Sequence, residues 1–178
     1  MSNFEEKEYK IFEMFKKDWA LVTAGNMEHF NSCTLGWGSL GTIWNRKGGS
    51  GSVVTVYVYP TRYTKEFLEN NEEFTVCFFT EQYKKALGIL GSKSGRDGDK
   101  VAESGLTPIA VGNTVAYEEA SMTLVCKKLY QNPMAKEGLA DEIKEYYAAS
   151  PAVYPHDEND EWHPHWAFIG EIMDVIEE

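Results

Sequence analysis

The sequence is poor in positive charge. Its 178 residues include 17 lysines and arginines against 28 aspartates and glutamates, a formal net charge of −11 at pH 7. Such a chain repels polyanions unless its basic residues cluster, and here they are scattered, so we expect no nucleic-acid partner. It contains only three arginines, Arg46, Arg62 and Arg96. These few guanidinium groups are therefore the first candidates for an anion-binding site.

The sequence also lacks a long apolar run and any closely spaced pair of cysteines. No stretch approaches the ~20 apolar residues of a membrane-spanning helix, and the opening residues MSNFEEKEYK lack the apolar segment of a signal peptide. Cys33, Cys77 and Cys126 are odd in number and far apart, which favours reduced thiols. We therefore expect a cytoplasmic protein that does not associate with membranes.

What the sequence contains indicates one mostly-β domain over residues 1–178. Hydrophobic residues make up 43% of the chain and aromatic residues 13%, enough for a substantial core. Apolar and β-branched runs bounded by turn residues predict strands at 19–25, 28–35, 53–59, 73–79, 113–120, 121–132 and 165–176. The strands at 113–120 and 121–132 are expected to follow each other through a tight turn.

Short helices are scattered among these strands. An N-terminal helix is predicted because Ser2 and Glu5 have capping-box spacing, and other helical segments are predicted at 64–71 (with Thr64 as N-cap), at 81–90, for one turn near 104, and at 135–150. Loops are expected at 45–52 (NRKGGSGS) and 151–165. This order favours an α+β fold built on a β-barrel over alternating βαβ units.

The segment GWGSLG, residues 36–41, has the G-x-G-x-x-G spacing of a dinucleotide-binding turn. That motif needs a following helix and an acidic residue about 20 positions later. The residues TIWNRKGGSGS that come next leave no room for a helix, and VYVYPTR at 56–62 contains no acid. We therefore do not interpret the glycines as a pyrophosphate site.

Two segments carry groups that suit a phosphate. Arg62 stands with the hydroxyl of Thr64 at a predicted helix start, where a guanidinium and free N–H groups can bind an anion. Arg96 lies between Ser94 and Lys100 in a glycine-rich loop of the kind that wraps anions. Each segment alone is also typical of an ordinary solvated turn, and the two together in one acidic chain are more informative than either.

A third segment has the polarity of a ligand-binding strand. Asn31, Ser32, Cys33 and Thr34 are small polar residues where a buried strand is usually apolar. They can bind the polar edge of a ring system, or they can face water at a strand edge. Trp37, shortly after them, can stack on a ligand or pack in the core.

Four blocks of the sequence together resemble the flavin reductase-like family with its FMN-binding split barrel. They are NSCT with the following Trp/Gly segment, YVYPTRYTKEFLENNEEFTVCFF, SGRDGDKVAESGLTP, and FIGEI near the C-terminus. Their order and approximate spacing fit from about Trp19 to Ile172. The resemblance implies an antiparallel, Greek-key-like split barrel and a homodimer with FMN near the subunit interface.

Carried over by residue, the resemblance assigns FMN contacts to ten positions. Asn31, Ser32, Cys33 and Thr34 would line the flavin ring, with Trp37 nearby, and Arg62 and Thr64 would contact the phosphate and ribityl chain. Ser94, Arg96 and Lys100 would form a loop closing over the cofactor, from this subunit or its partner. No catalytic acid or base is assigned, because FMN performs the electron transfer itself.

The resemblance leaves three functions open. The first is a flavin reductase-type oxidoreductase that uses NADH or NADPH as reductant. The second is a flavoredoxin-like carrier that exchanges electrons with a protein partner through bound FMN. The third is a flavin-binding dimer without catalysis.

Two segments depart from the family pattern. One is the glycine-rich stretch 45–52, which can gate the site or form a hairpin tip. The other is the block 131–164, which ends in PHDENDEWHPHW around His156, His163 and His165. A metal site at these histidines is disfavoured because Pro164 interrupts the strand pairing that a His-x-His pair needs. We therefore predict no metal and expect a hydrated acidic loop, which leaves open that one or two of its histidines lie near the flavin.

Overall fold

A computed structural model describes residues 3–46 and 49–177. Within them are nine strands: β1 (Ala20–Asn26), β2 (His29–Leu35), β3 (Gly38–Arg46), β4 (Gly49–Val58), β5 (Glu73–Phe78), β6 (Pro108–Val111), β7 (Thr114–Tyr117), β8 (Met122–Pro133) and β9 (Trp166–Glu177). The four α-helices are α1 (Tyr63–Asn70), α2 (Lys84–Ser92), α3 (Lys100–Ser104) and α4 (Asp141–Ala148). A π-helical segment covers Glu13–Asp18, and short 3₁₀ turns cover Phe4–Glu6, Glu81–Tyr83 and Lys136–Gly138.

Seven strands form one antiparallel sheet in the order β2-β1-β5-β8-β9-β4-β3. Its edge strands β2 and β3 are joined by only Gly36 and Trp37. If this sheet were flat, its two edge strands would be about 29 Å apart, because neighbouring strands are about 4.8 Å apart. The two-residue link between β2 and β3 can span only roughly 11 Å. The sheet therefore curls, and at the seam the N–H of Tyr57 donates to the Trp37 carbonyl (3.3 Å). The expected mostly-β barrel with short helices is confirmed.

The barrel interior holds the main core. Alternate residues of its strands face inward and are buried, as the period-2 pattern requires, and they include Val22, Val54, Val56, Phe74, Val76, Leu124 and Phe168. Strand β1 is buried on its outer face as well, because Leu21 packs in a second core with α2 and the β6–β7 hairpin. This outer layer fixes β1 and β2 beneath α2.

The glycines of GWGSLG serve packing. Gly36 lies in the link between β2 and β3, and Gly38 begins β3, so no helix follows the pattern. A Cβ at Gly38 would lie 2.3 Å from Cε1 of Phe15, which is buried. The glycine thus lets the N-terminal segment close over the barrel seam.

Several predicted elements differ from the observed ones. Residues 45–52 are not a loop, because β3 runs to Arg46 and β4 begins at Gly49, forming a hairpin whose residues 47 and 48 lie outside the described part. The predicted helix at 135–150 is reduced to α4 and one 3₁₀ turn, because the Leu139 segment before α4 is extended. Ser2 of the predicted capping box also lies outside the described residues.

The strands at 113–120 and 121–132 do not pair with each other. Strand β7 pairs with β6, which the sequence did not reveal, while β8 enters the barrel between β5 and β9. The chain crosses from the outer layer to the barrel at this point, so its short turn joins two sheets.

The block before β9 builds an aromatic cluster at one end of the barrel. Tyr59, Tyr147 and Tyr154 are buried together, with Leu139 and Trp162 packed against them. This cluster places the 151–165 loop beside the carboxyl ends of β2 and β4. Among the described residues, no helix is long and apolar enough to cross a membrane.

Candidate functional site

Two adjoining cavities lie between β2, the end of β4 and the 151–165 loop. One, here called the cationic cavity, measures about 330 Å³. The other, here called the aromatic cavity, measures about 190 Å³. They share Cys33, Arg62 and Val153 as lining residues. Together they reach the size of a small-molecule site.

The cationic cavity holds positive charge that no carboxylate of the described residues neutralises. Arg62 and Lys100 both line it, and neither has a carboxylate partner among residues 3–46 and 49–177. Arg62 Nη1 donates to the Gly91 carbonyl (2.5 Å), and Lys100 Nζ donates to the carbonyls of Leu90 and Lys93 (3.1 Å each). Burial lowers the pKa of Lys100, and the nearby Arg62 charge lowers it further. A bound anion would relieve both effects.

Helix α1 begins at the wall of this cavity. Its N-cap is Arg62, which makes no side-chain cap hydrogen bond, and among the described residues the first turn has only the backbone bond from the Lys65 N–H to the Arg62 carbonyl (2.9 Å). Those N–H groups and the helix dipole favour an anion at this end. The predicted N-cap role of Thr64 is wrong, because Thr64 is buried inside the first turn and its hydroxyl accepts from Asn31 Nδ2 (3.0 Å).

The aromatic cavity has rings on one side and backbone on the other. The His165 ring lies 4.4 Å from that of Trp37 and 5.2 Å from that of Tyr59, centroid to centroid. The segment Thr34–Trp37 contributes much of the remaining wall. Such a lining of flat groups and a few polar atoms suits a planar ring system.

His165 is held neutral at the wall of this cavity. Its Nδ1 is hydrogen-bonded to the hydroxyl of Tyr147, and its backbone N–H donates to the same oxygen (3.4 Å). Burial lowers the pKa of His165 to about 4, and the charge of Arg62 lowers it as well. The imidazole therefore enters the site as an uncharged group near pH 7.

Two of the four predicted strand residues line the cavities. Cys33 is 3% exposed and borders both of them. Burial raises the pKa of its thiol, while the Thr64 hydroxyl and the charges of Lys100 and Arg62 lower it. Thr34 borders the aromatic cavity and donates its hydroxyl to the Leu87 carbonyl (2.6 Å).

Asn31 and Ser32 are placed differently. Asn31 borders a neighbouring cavity of about 570 Å³ and supports the cationic cavity through Thr64. The Ser32 hydroxyl lies on the other face of β2, 2.6 Å from Tyr117 OH and 2.8 Å from Thr23 Oγ1. Its side chain is thus occupied in the outer core, and only its backbone remains for a ligand.

Of the three predicted residues in and after the loop before α3, two line the cationic cavity and one does not. Ser94 and Lys100 line the cationic cavity of their own chain. Arg96 is turned outward: its guanidinium is paired with Glu66, lies 4.5 Å over the Tyr63 ring and donates to the Thr61 carbonyl (3.3 Å). The carboxylate neutralises Arg96, so Arg62 and Lys100 carry the free charge of the site.

Sequence reasoning missed Tyr59, Val153 and Tyr154 as lining residues and did not single out His165. Tyr59 is the last residue of the predicted strand 53–59 and directly follows β4, so its place at the carboxyl end of a strand was the available signal. The other three belong to the loop before β9, whose position depends on α4 packing. Trp44, in β3, lies away from both cavities, against Tyr130 (6.4 Å between ring centroids).

The other histidines of this loop are bound to carboxylates. His156 Nδ1 lies 2.9 Å from Asp160, and His163 Nε2 lies 2.9 Å from Asp157. Within the described ranges there is no group of three or more His, Cys, Asp or Glu side chains arranged to hold a metal ion.

A larger apolar groove adjoins the aromatic cavity. It measures about 750 Å³ and shares the Gly36–Trp37 link and Tyr57 with that cavity. Its other lining residues are mostly apolar and include Phe12, Leu40, Met134, Ile143 and Tyr146. Trp37 is 46% exposed and forms the boundary between groove and cavity.

Residues 50–178 match the family model described as "Flavin reductase like domain". A search of curated proteins finds no match.

Several solved structures share the fold at low sequence identity. A flavoredoxin from Methanosarcina acetivorans is 20% identical, with a TM-score of 0.64 over 90% of this chain and 68% of that one. An FMN-binding protein from Thermus thermophilus with bound p-hydroxybenzaldehyde is 17% identical (TM-score 0.65, coverage 100% and 82%). A split-barrel flavin reductase-like protein from Shewanella frigidimarina is 13% identical (TM-score 0.61, coverage 99% and 79%). The fold is thus the split barrel that the sequence blocks indicated.

Proposed function

Since the chain belongs to the flavin reductase-like family, we propose that it binds FMN across the cationic and aromatic cavities. The observation that carries this proposal is the pair of cations Arg62 and Lys100, which have no carboxylate partner in the described part of the chain and lie beside a cavity walled by rings. In a chain with a net charge of −11, such a pair marks a site for an anion.

The residues present fit the two ends of FMN. Its phosphate suits Arg62, Lys100 and the first turn of α1, since these supply charge-assisted and backbone donors. Its flat ring suits the space between Trp37, Tyr59 and His165. Cys33 lies where the two ends meet and offers a small buried surface.

We further propose an NAD(P)H-dependent oxidoreductase of the flavin reductase type. Bound FMN supplies the hydride and electron transfer, and the protein supplies binding, orientation and access. His165 offers the ring a neutral hydrogen-bonding group, and Trp37 limits solvent access from the groove.

An electron carrier of the flavoredoxin type is the second candidate. It is favoured by the exposure of Trp37, because the ring of a bound flavin would lie behind a side chain that reaches the surface.

We also propose a homodimer. The apolar groove and its exposed side chains, among them Phe12 (90% exposed) and Tyr146 (51% exposed), form a surface that a second copy could cover. The measurement is the solution mass, with a Phe12→Glu variant expected to be monomeric.

Absorbance of the purified protein tests FMN binding. A flavin spectrum, or one acquired on adding FMN, is expected, whereas a colourless protein that takes up no FMN refutes the proposal. Anaerobic mixing then separates the functions: rapid bleaching by NADH or NADPH supports the reductase, and bleaching only by a reduced protein supports the carrier.

A further inference from the structure

Tyr147 makes two hydrogen bonds to the same histidine at the aromatic cavity. Its hydroxyl contacts His165 Nδ1, and it accepts from the His165 backbone N–H (3.4 Å). Tyr147 belongs to α4, in the block between β8 and β9 that departs from the family pattern. This helix therefore reaches the candidate site through one side chain.

The hydrogen bonds determine which nitrogen of His165 carries the proton. A tyrosine hydroxyl has one hydrogen to donate. Among the described residues, that hydroxyl has no acceptor other than His165 Nδ1, so its hydrogen finds a partner there only if it points to Nδ1. In a neutral imidazole the acceptor nitrogen is unprotonated and the other one is the donor. His165 is then the Nε2–H tautomer.

Packing keeps Tyr147 in this position. Its side chain is 3% exposed, and its ring is stacked on Trp162 with an interplanar angle of 4° and 5.1 Å between centroids. Lys136 fixes Trp162 in turn, with Nζ 4.0 Å from the ring centroid and 3.0 Å from its carbonyl oxygen. A side chain locked in this way can orient a neighbour with little loss of entropy on ligand binding.

We propose that Tyr147 is a positioning residue that makes His165 present Nε2–H as a hydrogen-bond donor to the aromatic cavity. This inference rests on the proposed function, which supplies the ligand. The group that Nε2–H recognises is an acceptor atom, a carbonyl oxygen or an unprotonated nitrogen, on the edge of a flat heteroaromatic ring. With the opposite tautomer, an acceptor would face that edge and repel it.

The surroundings of His165 support a neutral imidazole. The titratable or charged side chains that face it from the elements packed around it are Tyr59, Tyr147, Tyr154 and Arg62. None is a carboxylate, so none stabilises imidazolium, and the positive charge of Arg62 opposes it. The donor is therefore retained from weakly acid to alkaline pH.

Nitrogen NMR of the full chain labelled at histidine tests the tautomer directly, with or without FMN. The wild type is expected to show His165 as Nε2–H, and Tyr147→Phe is expected to show a population of Nδ1–H. Tyr146→Phe, a substitution at the adjacent exposed position of the same helix, should match the wild type. A wild-type Nδ1–H signal, or an unchanged tautomer in Tyr147→Phe, would overturn the inference.

A double-mutant cycle tests whether Tyr147 acts through His165. Tyr147→Phe is expected to weaken FMN binding by about 3- to 10-fold, and by less than about 2-fold when His165 is already asparagine. Equal losses in both backgrounds would mean a general packing role and refute the positioning role. Thermal unfolding of each variant checks that it folds. If the wild type bound no FMN, the proposed function would fail while the NMR result still decided the tautomer.

Discussion

Replacing Arg62 with alanine removes a cation of the cationic cavity that has no carboxylate partner among the described residues. Charge-assisted hydrogen bonds contribute about 1.5–3 kcal/mol each. Because Arg62 is exposed to solvent, screening favours the lower half of this range. We therefore expect Arg62→Ala to weaken FMN binding by about 10- to 30-fold. Arg62→Lys keeps the charge without the planar fork and should lose about 3-fold.

The assay is titration of flavin-free protein with FMN, followed by quenching of flavin fluorescence. Arg96→Ala provides the matched control, because Arg96 is also exposed but is paired with Glu66 outside the cavity. It should change the FMN dissociation constant by less than about 3-fold.

Comparing FMN with riboflavin, which lacks the phosphate, shows which part of FMN Arg62 contacts. If Arg62 binds the phosphate, Arg62→Ala should change riboflavin affinity by less than about 2-fold, and its effect on FMN should shrink at high salt. Equal losses for FMN and riboflavin would refute the phosphate assignment. An equal or larger loss in Arg96→Ala would refute the distinction between the two arginines.

Three further predictions concern the site and its support. Ser32→Ala should leave Tyr117 OH short of a buried partner and lower the free energy of unfolding by about 1–3 kcal/mol, while FMN affinity measured in parallel stays within about 2-fold. The pKa of His165 is about 4 in the folded protein, below its ordinary value of about 6.5, so protonation of this histidine favours the unfolded chain. The stability that the neutral His165 contributes is therefore complete above pH 6.5 and is lost as the pH falls towards 4. Urea unfolding should therefore show that His165→Asn abolishes about 2 kcal/mol of the stability loss between about pH 7 and pH 4.5, and an unchanged loss would contradict this account. Gly38→Ala should force Phe15 out of its packing position and cost about 1–3 kcal/mol in thermal unfolding, whereas the same change at Gly41, where no atom lies within 4 Å of the added Cβ, should be nearly neutral.

Strand positions were largely predictable because alternation and turn residues act locally. The segments around β1, β2, β5 and β9 agree with their predicted ranges within a few residues. Strand β3 and the first part of β4 (residues 49–52) were not predicted as strands, because their glycines and polar residues gain their strand structure from pairing with each other. Strand β6 was missed for the same reason, since its pairing with β7 stabilises four residues that have little strand signal alone.

The sequence by itself determined the chemical types at the site: two arginine segments, a small polar strand and an overall acidic chain. Only the tertiary structure decided which of these groups remain available. It paired Arg96 with Glu66, occupied the Ser32 hydroxyl with Tyr117 and Thr23, and left Arg62 and Lys100 without carboxylate partners in the described ranges. It also brought His165 to Trp37 and fixed it with Tyr147. The reason is that residue type is a local property, whereas partnership depends on contacts between segments distant in the chain.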